Sequence, residues 1–166
     1  MLVPFAARPL AGGAIVLPDK SKGPPTLSGD TIMVSIPKHV QEFLPGKLAW
    51  VATASRDGMP NVTPKGSLKL LDEHHVLFAD LFSLKTRRNL GENKKVAVTV
   101  VDTTTGKGYQ IKGTAELLDS GQLFDETAEQ LKASPKQLPP MHHLVKITVE
   151  SVFDQSVGAE AGKQIA

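Results

Sequence analysis

The hydrophobic and polar positions along this chain alternate mainly with the two-residue period of β-strands. Residues 62–71 show this clearly, because Thr63, Lys65, Ser67 and Lys69 fall on one face, opposite apolar residues. The pattern predicts six strands, at residues 48–54, 62–71, 75–80, 95–101, 109–118 and 143–153.

Three other segments have the period or the start and stop signals of helices. We expect short helices at residues 36–44, 85–92 and 120–133. Six strands joined by hairpin-length links and short helices favour a closed or nearly closed antiparallel barrel, because closure removes exposed sheet edges. The predicted fold class is therefore mainly β.

Two of the predicted strands, at residues 48–54 and 95–101, are largely apolar on both faces. A small barrel buries only the inner face of a strand, so the outer face needs a cover as well. Helices could cover part of it, and a partner subunit is the simpler cover for the rest, which predicts a symmetric homodimer. We expect Trp50, in the first of these strands, to lie in the core.

The first 30 residues differ from the rest in composition. Proline and glycine recur throughout them, which argues against a regular helix or strand. We predict an extended N-terminal arm at residues 1–30, a barrel domain at 31–154 and a C-terminal tail at 155–166. The arm is a flexible segment, a segment that wraps a partner subunit, or an expression-derived extension.

Charge and hydropathy narrow the partners. The formal net charge of +2 gives no strong field that would attract nucleic acid or an anionic membrane. No apolar run is long enough to span a bilayer, and Arg8 and Pro9 interrupt the first apolar stretch, so we expect no signal peptide. A cytoplasmic location fits these features.

The residue types present exclude several kinds of chemistry. The chain has no cysteine, which rules out disulfides, thiolate metal sites and a cysteine nucleophile. Its histidines occur as the pairs 74–75 and 142–143, with His39 alone. Adjacent residues on a strand point to opposite faces, so neither pair could chelate a metal ion from a regular strand, and no metal site is predicted.

One polar cluster has the composition of a phosphate-binding site. Residues 83–89 read Ser-Leu-Lys-Thr-Arg-Arg-Asn and open the predicted second helix. The first N–H groups of a helix are unpaired and carry the positive end of its dipole. Lys85, the Thr86 hydroxyl and the nearby arginines would complete an anion cradle. The alternative is a basic helix that is simply solvated.

Two further positions offer groups to a flat heterocycle. Gly66 lies inside a predicted strand between Lys65 and Ser67, which often marks close approach of a ligand. A β-bulge on a solvated face would also explain it. The amide of Gln110 can both donate and accept hydrogen bonds, although a glutamine there is also typical of an edge-strand surface.

Taken in order, these segments resemble a known superfamily. The run AWVATASRDGMPNVTPKGSLKLLDEHHVLFADLFSLKTRRNLGENKKVAVTVVD, followed by GYQIKGTAEL, is similar to the pyridoxamine 5'-phosphate oxidase-like, FMN-binding split-barrel proteins. The small flavin-nucleotide-binding members are the most similar in pattern. The resemblance covers about residues 36–154. It implies a six-stranded split β-barrel that binds FMN at a homodimer interface, with two sites per dimer.

The resemblance also implies roles for particular residues. Lys65, Gly66 and Ser67 would line the flavin, and Phe78, Ala79 and Asp80 would contact it through the backbone. Lys85, Thr86 and Asn89 would hold its phosphate or ribityl chain. Gln110 would reach the flavin from the next strand. The glutamine could serve the site of the opposite subunit.

The resemblance has one informative departure. Residues 153–159 read Phe-Asp-Gln-Ser-Val-Gly-Ala and lack the Arg- and His-containing substrate motif of the true oxidases, so we do not expect vitamin B6 oxidation. The favoured function is an FMN-dependent oxidoreductase with a small-molecule electron donor or acceptor. The alternatives are a non-enzymatic flavin carrier or electron-transfer module, a haem- or deazaflavin-binding relative, and a ligand-free barrel.

Overall fold

Seven strands pair antiparallel in a single sheet in the computed structural model, which describes residues 33–135 and 137–166. The order across the sheet is β2-β1-β5-β6-β7-β4-β3. The strands are β1 (Ala49–Ala54), β2 (Pro60–Lys65), β3 (Lys69–Asp72), β4 (His75–Asp80), β5 (Lys95–Asp102), β6 (Lys107–Leu118) and β7 (His143–Asp154). The mainly β, antiparallel class is confirmed, with seven strands instead of six.

The additional strand comes from the segment 62–71, where the prediction of one continuous strand is wrong. The chain leaves the sheet after Lys65, turns through residues 66–68 and enters β3 at Lys69. Leu68 is buried and anchors this turn against the core. Lys65, expected on a polar face, is also buried, because a carboxylate compensates its charge there.

Three helices lie within or close to the predicted segments: α1 (Lys38–Phe43), α2 (Leu84–Glu92) and α3 (Gln122–Lys132). Val40 of α1 and Leu90 of α2 are buried in the same hydrophobic core. Phe43 of α1 packs edge-on against Tyr109, with 5.0 Å between the ring centroids. None of the helices in the described part of the chain is long and apolar enough to cross a membrane.

The inward face of β1 is formed by Ala49, Val51 and Thr53, each of which is buried. Trp50 occupies an outward position between them and is 47% exposed, so its predicted place in the core is wrong. The alternation of the strand decides this, because the small residues Ala49 and Thr53 share the face of the buried Val51.

The predicted C-terminal tail turns back onto the sheet. The amide of Ile165 donates to the carbonyl of Val152 over 2.8 Å, and Phe153 forms a bridge with Gln164. These contacts cover the end of β7, which extends beyond its pairing with β4. The predicted N-terminal arm lies outside the described residues.

A bulge bends the pairing of β6 with β7. The register shifts at Lys112 and Gly113, which lie opposite Ser151 and Val149, so Glu150 is the additional residue. A Cβ at Gly113 would lie 2.1 Å from the carbonyl oxygen of Thr148. Only glycine fits where two backbones approach this closely.

Replacing Gly113 by alanine should therefore lower the free energy of unfolding by about 3 kcal/mol or more, because backbone has to move. Gly91→Ala is the matched control: a Cβ there meets nothing within 4 Å. Because Gly91 lies in a helix, its replacement by alanine should raise the free energy of unfolding by about 0.5–1 kcal/mol. Urea denaturation of both variants checks the opposite signs, and equal effects would contradict the close approach.

Candidate functional site

The two end strands of the sheet order, β2 and β3, are consecutive in the chain and share no ladder. We call the boundary between β2 and the β3–β4 hairpin the seam. A groove of about 690 Å³ opens along it, within the size range of cofactor sites. Of the sequence-predicted residues, the structure brings four together in its lining: Lys65, Gly66, Ser67 and Ala79.

A buried ion pair crosses the seam. Nζ of Lys65 at the end of β2 lies 3.6 Å from Oδ1 of Asp80 at the end of β4, and the two side chains are 7% and 1% exposed. Burial lowers the pKa of the Lys65 amine, and the neighbouring Asp80 carboxylate opposes that shift. Removing one partner of a pair buried this deeply strongly destabilises the folded protein, because the other charge stays buried without compensation.

Asp80 serves more than one partner. Its Oδ1 accepts a hydrogen bond from the Ser83 amide at 3.0 Å, and its Oδ2 lies 3.3 Å from Nε of Arg87 in α2. One carboxylate thus faces two cations, Lys65 and Arg87. The local sum of formal charges is one positive unit, which an anion in the groove would offset.

The N-terminus of α2 adds unpaired donors to this charge. The Lys65 amine donates to the Ser83 hydroxyl, and Ser83 makes no side-chain cap bond to the helix. The backbone amide of Lys85 has no hydrogen-bond partner among the described residues, and Lys85 is exposed, whereas Thr86 is buried. The Lys85 side chain is exposed on the first turn. A helix start with an exposed cation and one exposed amide that is unpaired among the described residues is suited to a phosphate group.

Thr86 and Asn89 face the other way, towards β1 and β2. Oγ1 of Thr86 lies 3.2 Å from both Nδ2 of Asn61 and Oγ1 of Thr63, and Nδ2 of Asn89 donates to Oγ1 of Thr53 over 3.1 Å. These bonds attach α2 to the sheet and fix the direction of its N-terminus. Direct contact of Thr86 and Asn89 with a ligand stays a prediction.

The glycine in the seam turn leaves room for a ligand. A Cβ at Gly66 would meet no atom within 4 Å, so protein packing does not require a glycine at this position. Beside it, the Ser67 hydroxyl accepts a hydrogen bond from the Ala79 amide over 3.1 Å. The Ala79 amide is thereby engaged, and the open surface at this end of the groove is the backbone of the turn.

The remaining predicted residues lie outside the groove lining. The Phe78 ring is fully buried, with its centroid 5.1 Å from the Lys65 amine. Gln110 lies on the outer face of β6, where its amide donates to Thr99 over 3.4 Å. Within one chain Gln110 is not part of the groove, and its predicted role in a partner's site stays a prediction.

The groove also contains residues to which the sequence analysis assigned no contact with a ligand. Thr63 and Ser83 supply hydroxyls, and Phe82, Leu131 and Leu138 supply apolar surface. Ser83 had a sequence signal, because it immediately precedes the basic helix start. Leu131 and Leu138 had none, since they belong to α3 and the segment after it, far along the chain. Among the described residues, no group of three metal-ligating side chains could hold a metal ion.

Replacing Asp80 by asparagine should lower the free energy of unfolding by about 3–5 kcal/mol, because Lys65 would remain buried without an opposite charge. Glu129→Gln removes the same charge from an exposed pair with Lys132, so it should change the free energy of unfolding far less. Thermal and urea unfolding of both variants test the difference. Similar losses of stability in the two variants would show that the buried pair Lys65–Asp80 contributes no more to the free energy of unfolding than an exposed pair does.

Comparison with known proteins gives the family to which this chain belongs. The family model described as pyridoxamine 5'-phosphate oxidase matches residues 36–156. An uncharacterized protein of Methanocaldococcus jannaschii is 36% identical over 140 residues, which cover 83% of this chain and 92% of that protein.

Solved structures agree with this assignment. HupZ from Group A Streptococcus superimposes with a TM-score of 0.67 at 28% identity, covering 76% of this chain and 99% of that one. An FMN-binding protein from Syntrophomonas wolfei superimposes with a TM-score of 0.62 at 17% identity, covering 71% of this chain and 82% of that one. HutZ, the heme storage protein of Vibrio cholerae, superimposes with a TM-score of 0.57 at 18% identity, covering 74% of this chain and 97% of that one. The last two identities support the fold alone. From its seven-stranded split sheet and the family match over most of its described residues, the chain belongs to the pyridoxamine 5'-phosphate oxidase-like family of split-barrel proteins.

Proposed function

We propose that this protein binds FMN in the seam groove and works as a flavin-dependent oxidoreductase. The observation that carries the proposal is the charge of the groove, where Lys65, Ser83 and the start of α2 converge on one end. A phosphate group there would meet a cation, a hydroxyl and the exposed backbone amide of Lys85.

The rest of the groove suits a flat ring system. Phe82, Leu131 and Leu138 give apolar surface for the ring faces, and the backbone at Gly66 gives polar groups for a ring edge. When bound, a flavin supplies the chemistry of hydride and single-electron transfer. The protein's part is to hold the ring, orient it and exclude water from one face.

Oxidoreductase activity is proposed ahead of a passive carrier because hydride and electron transfer to a small molecule is the chemistry that a bound flavin supplies. Rapid reduction of the bound flavin by one specific donor would separate an enzyme from a non-enzymatic flavin carrier or electron-transfer module. True pyridoxamine phosphate oxidation is not proposed, since residues 153–159 lack the expected substrate motif. A cytoplasmic location stays a prediction.

A homodimer is the second part of the proposal. The outer face of β1, β2 and β5 presents large apolar side chains to solvent, namely Trp50, Val62 and Val101. Leu48 and Met59, next to the ends of β1 and β2, are exposed as well. Contiguous apolar surface of this kind is typical of a protein interface. Because Gln110 lies on the outer face of β6, next to β5, a partner docked there would be close to it.

The cofactor is identified by the visible spectrum of the purified protein and by mass spectrometry of the released molecule. A yellow protein that releases FMN supports the proposal, whereas released haem or deazaflavin contradicts it.

Lys85→Ala should weaken FMN binding about tenfold or more, by loss of a charge-assisted contact to the phosphate. Lys94→Ala, an exposed lysine just beyond α2, is the matched control and should leave the affinity unchanged. Unchanged affinity in Lys85→Ala would place the phosphate elsewhere.

Trp50→Glu should convert the dimer to a monomer, because it places a charge in the proposed apolar interface. Val157→Glu is the control, since Val157 is highly exposed and lies beyond β7. Sedimentation or light scattering gives the mass of each variant. A wild-type monomer, or a Trp50→Glu variant that stays dimeric, would contradict the proposed interface.

A further inference from the structure

The helix α3 forms one wall of the seam groove, and strands form the other. Gln130 and Leu131 line the groove from α3, while Lys69 at the start of β3 and Ala79 on β4 line it from the opposite side. Ala79 is only 3% exposed, so the β4 side of the groove is covered. A ligand that contacts both walls has to pass between them, and the attachment of α3 therefore decides how it enters.

The packing of α3 differs from that of the other two helices. Val40 of α1 and Leu90 of α2 belong to the hydrophobic core, which among the described residues contains no side chain of α3. Thr127 is the one buried residue of α3, and its hydroxyl donates to the carbonyl of Leu123 in the same helix over 2.8 Å. The core contacts that fix α1 and α2 therefore do not hold α3 in place.

One hydrogen bond joins α3 to a strand within the described part of the chain. Nζ of Lys69 donates to Oε1 of Gln130 over 2.7 Å, and both side chains are exposed. The other side-chain hydrogen bonds of α3 lie within the helix. Because Lys69 and Gln130 line the groove from opposite walls, their bond crosses it. Water can replace either partner of an exposed hydrogen bond, so this bond breaks at small cost.

The two ends of the segment that carries α3 are suited to a hinge. Gly121, directly before α3, has a φ of 97°, which favours glycine, and a Cβ there would meet no atom within 4 Å. At the other end the His142 amide donates to the Asp80 carbonyl over 2.9 Å, which fixes the chain where it returns to β7. The backbone at Gly121 can therefore rotate without disturbing packed side chains.

We infer that α3 is a lid on the groove, and that the Lys69–Gln130 bond is the latch that holds it closed. Opening breaks the latch and separates half-buried apolar contacts, while the core and every strand ladder stay intact. In the closed position Leu131 lies across the groove from the strands. The inference rests on the proposed flavin site and adds the route by which the flavin enters and leaves.

The first test needs no cofactor. The chain has no cysteine, so Ala79→Cys places a single thiol in the groove, and its rate of reaction with a thiol reagent reports opening. Adding Gln130→Ala removes the latch and should speed this reaction about threefold to tenfold, as expected for the loss of one exposed hydrogen bond. Glu129→Ala, outside the groove lining, is the matched control and should leave the rate unchanged. Ala49→Cys, in the core, should react far more slowly, because only unfolding exposes it.

The second test locks the lid. In the double variant Lys69→Cys with Gln130→Cys, a short reducible cross-linker that reacts with two thiols joins α3 to β3. Uptake and release of FMN, followed by flavin fluorescence, should both slow about tenfold or more, and a phosphine reductant should restore both rates. The dissociation constant should change less than about twofold, because a lid acts on the two rates equally. The pair Glu129→Cys with Lys132→Cys, cross-linked within α3, is the matched control.

Equal reaction rates for Ala79→Cys and Ala49→Cys, or no effect of Gln130→Ala, would overturn the lid. So would FMN rates that the cross-link between positions 69 and 130 leaves unchanged. Failure of the proposed function gives a different result. If the protein binds no FMN while the reaction of Ala79→Cys depends on Gln130, the flavin proposal is wrong and the lid stands. If FMN binds and neither test detects the latch, the flavin proposal stands and the lid is wrong.

Discussion

The ion pair between Lys65 and Asp80 is the contact on which this structure depends. Every other neighbouring pair of strands is joined by a backbone ladder, but the seam between β2 and the β3–β4 hairpin is not. A buried lysine and a buried aspartate take the place of backbone hydrogen bonds there. Because Asp80 also faces Arg87 and the Ser83 amide, the same carboxylate sets the position of α2.

This arrangement explains why the groove and the seam coincide. A closed ladder between β2 and β3 would fill the space with paired backbone and leave no room for a ligand. The split leaves backbone at Gly66 and hydroxyls at Thr63 and Ser83 facing open volume. The polar network of Thr53, Asn61 and Thr86 attaches the inner face of α2 to the sheet, so that Lys85 on its first turn stays exposed.

The sequence predicts much of this fold because alternation is a local property. The positions of β1, β4, β5, β6 and β7 follow from it within a few residues. It fails at residues 62–71, where alternation continues through Gly66 although the chain turns. That turn depends on the burial of Leu68 and on the pairing of Lys65 with Asp80 in another strand, neither of which is visible locally. The sequence predicts the basic start of α2 but not its inward face. The side chains of Thr86 and Asn89 bond to Asn61 and Thr53, which lie on strands distant in the sequence.

A sheet that is held at one boundary by side chains has a natural place to open. Parting the seam breaks a few polar contacts and leaves every ladder intact, so local opening there costs far less than unfolding the sheet. Amide protection against hydrogen exchange should therefore be lowest along β2 and β3, the two strands with one unpaired edge. A molecule that contacts both sides of the seam should favour the closed arrangement, because binding stabilises the conformation in which both sets of contacts are made.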